Sequence, residues 1–249
     1  MGLVANVLER TKLTNRNFAH QFVVDAIRTC STTARIYNAY FSKISYSQFG
    51  EDKVLRTLLP EPFGEYLDIG AGDPVRNSNT YLFYRLGWRG QLVEPILSLA
   101  EKSASKRPRD VVRNNLVGDG ENNSLTFFEF QISELSTTDP NRASSLTNSG
   151  FLLASTYECR CQPIGNFLSP ITPLEPFFLS IDIEGQDFAI LKTIDWSKFK
   201  PRVICIEDPS PFESSDTQEF LTSLNYKLLS CHTVSSIYCH SEYLNFIRS

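Results

Sequence analysis

Two acidic pairs end apolar, β-rich runs. In "FFLSIDIEGQDFAIL" (Phe177 to Leu191), Asp182 and Glu184 precede a glycine and an amphipathic helical pattern. In "RVICIED", Glu207 and Asp208 close a second run. If the two runs are neighbouring parallel strands, their carboxyl ends meet at the edge where open α/β sheets bind ligands. Carboxylates there can take a proton as general bases. Gathered together, they can hold Mg2+, a hard cation that prefers oxygen ligands. Asp182 and Glu184 are therefore candidate catalytic groups, and Asp182, Glu207 and Asp208 candidate metal ligands. The competing reading for Asp182 and Glu184 is capping of the next helix, since acids near a helix N-terminus are favourable; Asp187 is the natural first-turn acid. His232, in "LLSCHTVSS", is a further candidate base, because imidazole titrates near neutrality.

A third stretch, "YLDIGAGDPVRNSNT", ends a strand at Asp68 and turns through Gly70 and Gly72. Glycines after a strand let ligand atoms approach the backbone, as in nucleotide-binding turns. A dinucleotide site needs a third glycine, and Val75 stands in that place. Asp68 and Asp73 would repel a pyrophosphate. They suit a ligand with a cationic end, and S-adenosylmethionine carries both an ammonium and a sulfonium. Glu94 ends the next strand, close to the spacing of ~20 residues at which an acid accepts hydrogen bonds from ribose hydroxyls. A surface glutamate before a proline turn is the plainer alternative.

These residues need a frame. From Ser45 onward strand and helix patterns alternate: "GEYLDIGAG", "GQLVEP", "DVVRNNLVG", "FFLSIDIEG" and "RVICIED" read as strands. "TYLFYRLG", "ILSLAEKSAS" and "DFAILKTI" read as helices between them. "SLTFFEFQ" alternates as a further strand, and "YKLLSCHTVSSIYCH" reads as a final antiparallel pair. The pattern predicts an α/β fold with a mostly parallel sheet, helices on both faces and a C-terminal hairpin. Residues 1–44 carry helical spacing and are expected as a helical extension to the domain at 45–249. The Ser/Thr/Asn/Pro-rich stretch 136–176 is expected as an irregular substrate loop or as a solvent-exposed insertion with a short strand near "STYECRC".

The 249 residues suffice for one large domain. A net charge of −4 counts against a nucleic-acid partner, which would call for a basic stripe. No apolar run approaches the ~20 residues that span a bilayer. Six cysteines without a metal or disulfide spacing favour free thiols in the cytoplasm, with Cys159 and Cys161 only a weak metal signal.

"SQFGEDKVL", "LDIGAGDPVRNSNTYLFYRLGWRGQLVEP" and "LSIDIEGQDFAILKTIDWSKFKPRVICIE" resemble, in order and spacing, the FkbM-type methyltransferases over roughly Ser45 to Tyr238. The resemblance implies a class I, Rossmann-like, seven-stranded methyltransferase domain that uses S-adenosylmethionine and methylates a hydroxyl of a sugar, glycan or secondary metabolite. By position, it implies that Asp68, Gly70, Ala71 and Gly72 hold the methionine part, that Ser78, Asn79 and Thr80 open the next helix beside the cofactor, and that Glu94 binds ribose. Gln48 and Asp52 would lie close to the cofactor. No acid stands at the tip of the third strand for the adenine amine, where Asn114 or Asn115 could serve. The expected partner is a small-molecule or glycan acceptor; a homodimer is one candidate oligomeric state. A nicotinamide-dependent oxidoreductase and a non-catalytic Rossmann-like binding protein are the alternatives of other classes.

Overall fold

The computed structural model describes residues 45–120, 122–168, 176–183, 185–208 and 215–244. The expected helical extension at 1–44 and the side chain of Glu184 lie outside the described residues. The described chain belongs to one compact unit beginning at Ser45.

The apolar runs form the strands expected of them. β1 (Glu65–Ile69), β2 (Arg89–Val93) and β3 (Val111–Arg113) pair in parallel, and β1 also pairs in parallel with β7 (Phe177–Ile181). β7 pairs with β8 (Val203–Glu207), also in parallel. β9 (Tyr226–Cys231) and β10 (Ser235–His240) form the antiparallel hairpin that closes the sheet. The order of the seven strands is β3-β2-β1-β7-β8-β10-β9. Side chains alternate across a strand, so the sheet has two apolar faces. Leu67, Ile69, Leu179, Ile181, Ile204 and Ile206 join one core with Ile190 and Leu191. On the opposite face Phe178 packs against Phe83 at 4.7 Å between ring centres, and Phe83 meets Trp88 at 4.9 Å. Each such side chain, fully buried, contributes about 1.5–3 kcal/mol.

Helices cover these faces: α1 (Glu51–Leu58), α2 (Tyr81–Arg85), α3 (Leu97–Lys106), α6 (Asp187–Lys192) and α7 (Asp216–Ser223). Among the described residues no helix is long and apolar enough to cross a membrane.

Two sequence expectations change. "DVVRNNLVG" is two strands, because the chain turns at Asn114–Asn115 and leaves the main sheet. β4 (Leu116–Gly118), β5 (Ser124–Phe130) and β6 (Leu153–Pro163) form a separate three-stranded sheet in the order β4-β6-β5. The described residues of the stretch 136–176 are also largely regular, and the strand near "STYECRC" is longer than the short one expected. It supplies α4 (Pro140–Asn148), the 11 residues of β6 and the short helix α5 (Gly165–Leu168). Asp139 caps α4, accepting from the Asn141 amide, with Pro140 at the first helical position. β6 is exposed along most of its length, so its polar composition resembles that of a loop. Its buried positions, Cys159 and Cys161, pack among Ile96, Leu116 and Phe127 as small apolar residues.

Candidate functional site

At the carboxyl edge of β1, β2 and β7 lies a cavity of about 360 Å³. Its floor is the turn after β1. The amides of Gly70 and Ala71 donate to the Val93 carbonyl, and the Asp182 amide donates to the Ile69 carbonyl. Gly70 (φ +75°) and Gly72 (φ +58°) both take left-handed backbone. A Cβ on Gly70 would fall 1.7 Å from the Asp182 carbonyl oxygen, so no other residue fits there without displacing the end of β7.

Glu94 enters the same cavity from the end of β2 and is 3% exposed. Its carboxylate accepts from the Gly72 amide at 2.7 Å and from the Ile96 amide at 2.8 Å, which ties the glycine turn to the second strand. Burial pushes its pKa up to about 7, with the charge of Asp68 adding to the rise and the two amides opposing it.

The two asparagines at the sheet junction separate in role. Asn114 donates to the Glu94 and Pro95 carbonyls and fastens the turn. Asn115 lines the cavity, and its buried Nδ2 has no hydrogen-bond partner among the described residues. Leu99, Leu116, Leu125 and Phe127 form apolar walls beside it.

The loop acids stand differently from the sequence expectation. Asp68 is 5% exposed and does not line the cavity. It sits level with Ser180 and Cys205 across three strands and accepts from the Thr80 hydroxyl at 2.5 Å. Burial raises its pKa, opposed by Arg107 and by that hydroxyl. Arg107, itself fully buried, donates to Thr80, Tyr66 and Asp110, and Tyr66 donates to Asp110 in turn. Asp73 does reach the cavity but is already paired with Lys102 at 2.6 Å. Although partial burial would raise its pKa, the amides of Arg76 and Val75 and the Lys102 ammonium hold it at about 2. The charge argument from Asp68 and Asp73 therefore loses its basis: both are matched within the protein. Of the sequence-derived acids, Asp73, Glu94 and Asp182 line the cavity, and Asp73 is already held by Lys102.

Ser78, Asn79 and Thr80 do open α2, but they act on the protein. The Ser78 hydroxyl accepts from the Tyr81 amide, Asn79 donates to the Ser180 hydroxyl, and Thr80 binds Asp68. Asp52 is fully buried and binds the preceding segment, whereas Gln48 lines the cavity.

Asp182 is exposed and lines the cavity. The residue before α6 is Gln186, so Asp182 is not its cap. Asp187 holds the intervening turn, accepting from the Ile183 and Gly185 amides at 3.1 Å each, and burial raises its pKa to about 6. Sequence reading named Asp187 only as a first-turn acid; its clamp on Ile183 and Gly185 emerges from the fold.

The expected metal set of Asp182, Glu207 and Asp208 does not form. Ile181 pairs with Ile206, which sets Asp182 level with Glu207, but consecutive strand side chains face opposite ways. Asp208 is 3% exposed and accepts from Ser215, the cap of α7. Among the described residues no group of three or more His, Cys, Asp or Glu could hold a metal ion. His232 lies beyond β9, three strand spacings from β7, or about 14 Å. It does not line the cavity, and its Nε2 lies 3.2 Å from the Ser230 hydroxyl.

A cavity bounded by a glycine turn, a strand-end glutamate and a strand-end aspartate is what the sequence resemblance implied, and residues 68–228 match the model of the methyltransferase FkbM domain. The chain belongs to the FkbM methyltransferase family. It is accordingly an S-adenosylmethionine-dependent methyltransferase. No curated protein matches the chain. Among solved structures it is similar to an O-methyltransferase from Bacillus cereus in complex with SAH, at 13% identity and a TM-score of 0.37, over 87% of this chain and 95% of that one. The residues of this methyltransferase fit its cofactor in kind. The turn presents bare backbone at the cavity, Glu94 is a buried acceptor that suits hydroxyl donors, and the Asn115 side-chain amide, unpartnered among the described residues, can donate to a heterocycle nitrogen. The volume falls within the roughly 300–1,000 Å³ of small-molecule sites.

Proposed function

We propose that the chain methylates a hydroxyl of a small polar acceptor, a sugar, glycan or secondary metabolite, in the cavity between the β1 turn and the end of β7. The observation that carries this reading is the meeting of Gly70, Glu94 and Asp182 in one cavity. Gly70, Ala71 and Gly72 face the methionyl part, Glu94 accepts from the ribose hydroxyls, and Asn115 donates to adenine between the apolar walls. Bound there, S-adenosylmethionine supplies a methyl group already activated on a sulfonium. The protein has to align the acceptor oxygen in line with that carbon and remove its proton. Asp182 is the group that removes the proton. It is an exposed carboxylate at the cavity edge, able to accept the hydroxyl proton as the oxygen–carbon bond forms. Gln186 and Arg76 line the same cavity and can offer hydrogen bonds to a polyhydroxylated acceptor.

The described cysteines are all free thiols, which supports a reducing, cytoplasmic setting. Isothermal titration with S-adenosylhomocysteine tests the donor half, and no heat at millimolar ligand would sink it. Transfer of labelled methyl to a panel of sugars and hydroxylated metabolites tests the acceptor half. Labelling confined to amine or thiol acceptors would overturn the hydroxyl assignment.

A further inference from the structure

The segment before α1 is fixed by two buried carboxylates that contact no part of the cavity. Asp52, fully buried, accepts from the Ser45 hydroxyl at 2.7 Å, the Tyr46 amide at 2.7 Å and the Ser47 hydroxyl at 3.0 Å. Its own amide donates back to the Ser47 hydroxyl. Glu51, 1% exposed, accepts from the Phe49 amide at 2.8 Å and from the Ser235 hydroxyl of the C-terminal hairpin at 3.2 Å. The Tyr46 carbonyl accepts from the Ser78 amide, and the Tyr46 ring meets Tyr81 edge-on at 4.8 Å. Residues 45–49 are thus a strap, fastened on one side to the loop after Gly72 and on the other to the hairpin.

Between the fastened residues stands Gln48. Its side chain is exposed, lines the cavity and makes no hydrogen bond to another described residue. Two carboxylates buried at 0–1% exposure are a large commitment for a surface segment, since an ionised group leaves water only where its hydrogen bonds are met. Five of those bonds fall on residues 45, 46, 47, 49 and 235, the immediate neighbours of Gln48 in the strap and the hairpin beside it.

We infer that the strap is a positioning device: Asp52 and Glu51 hold Gln48 so that its amide contacts the methionyl end of the donor. The end of the ligand follows from the attachments. The strap is tied to Ser78, on the side of Gly72 and Asn77, whereas the apolar walls and Asn115 lie beyond Glu94. An amide offers both a donor and an acceptor and so can meet either the carboxylate or the ammonium of an amino-acid group. Asp52 acts through Gln48 and is a positioning residue, not a ligand.

The inference rests on the proposed donor site, and two ligands separate the two claims. S-adenosylhomocysteine carries the amino-acid end; 5′-methylthioadenosine keeps the adenosine and lacks it. In titrations of the full chain, Gln48→Ala should weaken S-adenosylhomocysteine about tenfold, one hydrogen bond to a charged group, and change methylthioadenosine by less than about twofold. Asp52→Asn should reproduce that selective loss with Gln48 intact. If Asp52→Asn fails to fold, Ser47→Ala removes one bond to the same carboxylate and should give a smaller loss of the same selectivity. Equal losses for both ligands, or none in Gln48→Ala, overturn the inference and leave the donor site standing. A wild-type chain that binds neither ligand overturns the donor site itself.

Discussion

The Gly70 Cα faces the carbonyl oxygen of Asp182 so closely that an added methyl would lie 1.7 Å from it. The turn proposed to receive the donor and the strand end proposed to receive the acceptor are in backbone contact. Gly70→Ala must therefore displace one of them, and φ +75° adds strain for any residue with a Cβ. We expect a loss of about 2 kcal/mol or more in urea unfolding, with S-adenosylhomocysteine affinity at least tenfold weaker. Unchanged stability and binding would show that the turn relaxes freely.

Asp182 is exposed at the cavity edge. Asp182→Asn should lower the rate of methyl transfer by about 10²–10⁴, the usual weight of a general base, while S-adenosylhomocysteine binding stays within about threefold. A variant retaining more than half of its activity would remove Asp182 as the base.

Glu94 sets a pH dependence. In the proposed site the ribose hydroxyls would donate to it best when it is ionised, and burial raises its pKa to about 7. Affinity for S-adenosylhomocysteine should rise about tenfold from pH 6 to pH 8, following the ionised fraction, and Glu94→Gln should bind weakly with a flat profile. The ligand-free fold responds with the opposite sign. A carboxyl raised from 4.5 to about 7 gives its full contribution below the lower value and loses it as pH rises through the upper one. Thermal melts without ligand should show Glu94→Gln narrowing its deficit to wild type, or reversing it, between pH 5 and pH 8. A wild-type affinity that falls over this range would contradict the role given to Glu94.

Arg107 is the test of the buried network. Removing it leaves Asp110 and Asp68 without their common cation in a site closed to water. Arg107→Met should destabilise the chain by about 3–5 kcal/mol, as for other broken buried pairs. A denaturation midpoint unchanged from wild type would mean that the network has no structural weight.

The main sheet was legible because its signals are local. β7 and β8 are apolar runs, broken only by Ser180 and followed or closed by acids, and the glycine turn and Glu94 stand at the spacing that parallel strands impose. Side-chain direction was less legible. Asp68 and Asp182 both mark strand ends, yet one lies inside a polar network and the other in the cavity, a distinction made by Thr80 and Arg107 from distant parts of the chain. Arg107 itself stands in "KRPRD", where no local signal marks it for burial, and α3 presses it against Tyr66. The small sheet was legible only as isolated strands, at "SLTFFEFQ" and near "STYECRC": β6 exposes most of its residues and carries little apolar periodicity, so neither its length nor the pairing into a separate sheet could be read.

That small sheet leaves the main one through two residues, Asn114 and Asn115, and the wall it builds faces a floor built by the other. A ligand touching both Gly70 and Asn115 bridges two sheets that the chain itself joins by a short turn. Bound donor would then act as a mechanical staple. Amide hydrogen exchange in β4 and β5 should slow on binding more than in β7, whose protection is set by the core it already occupies.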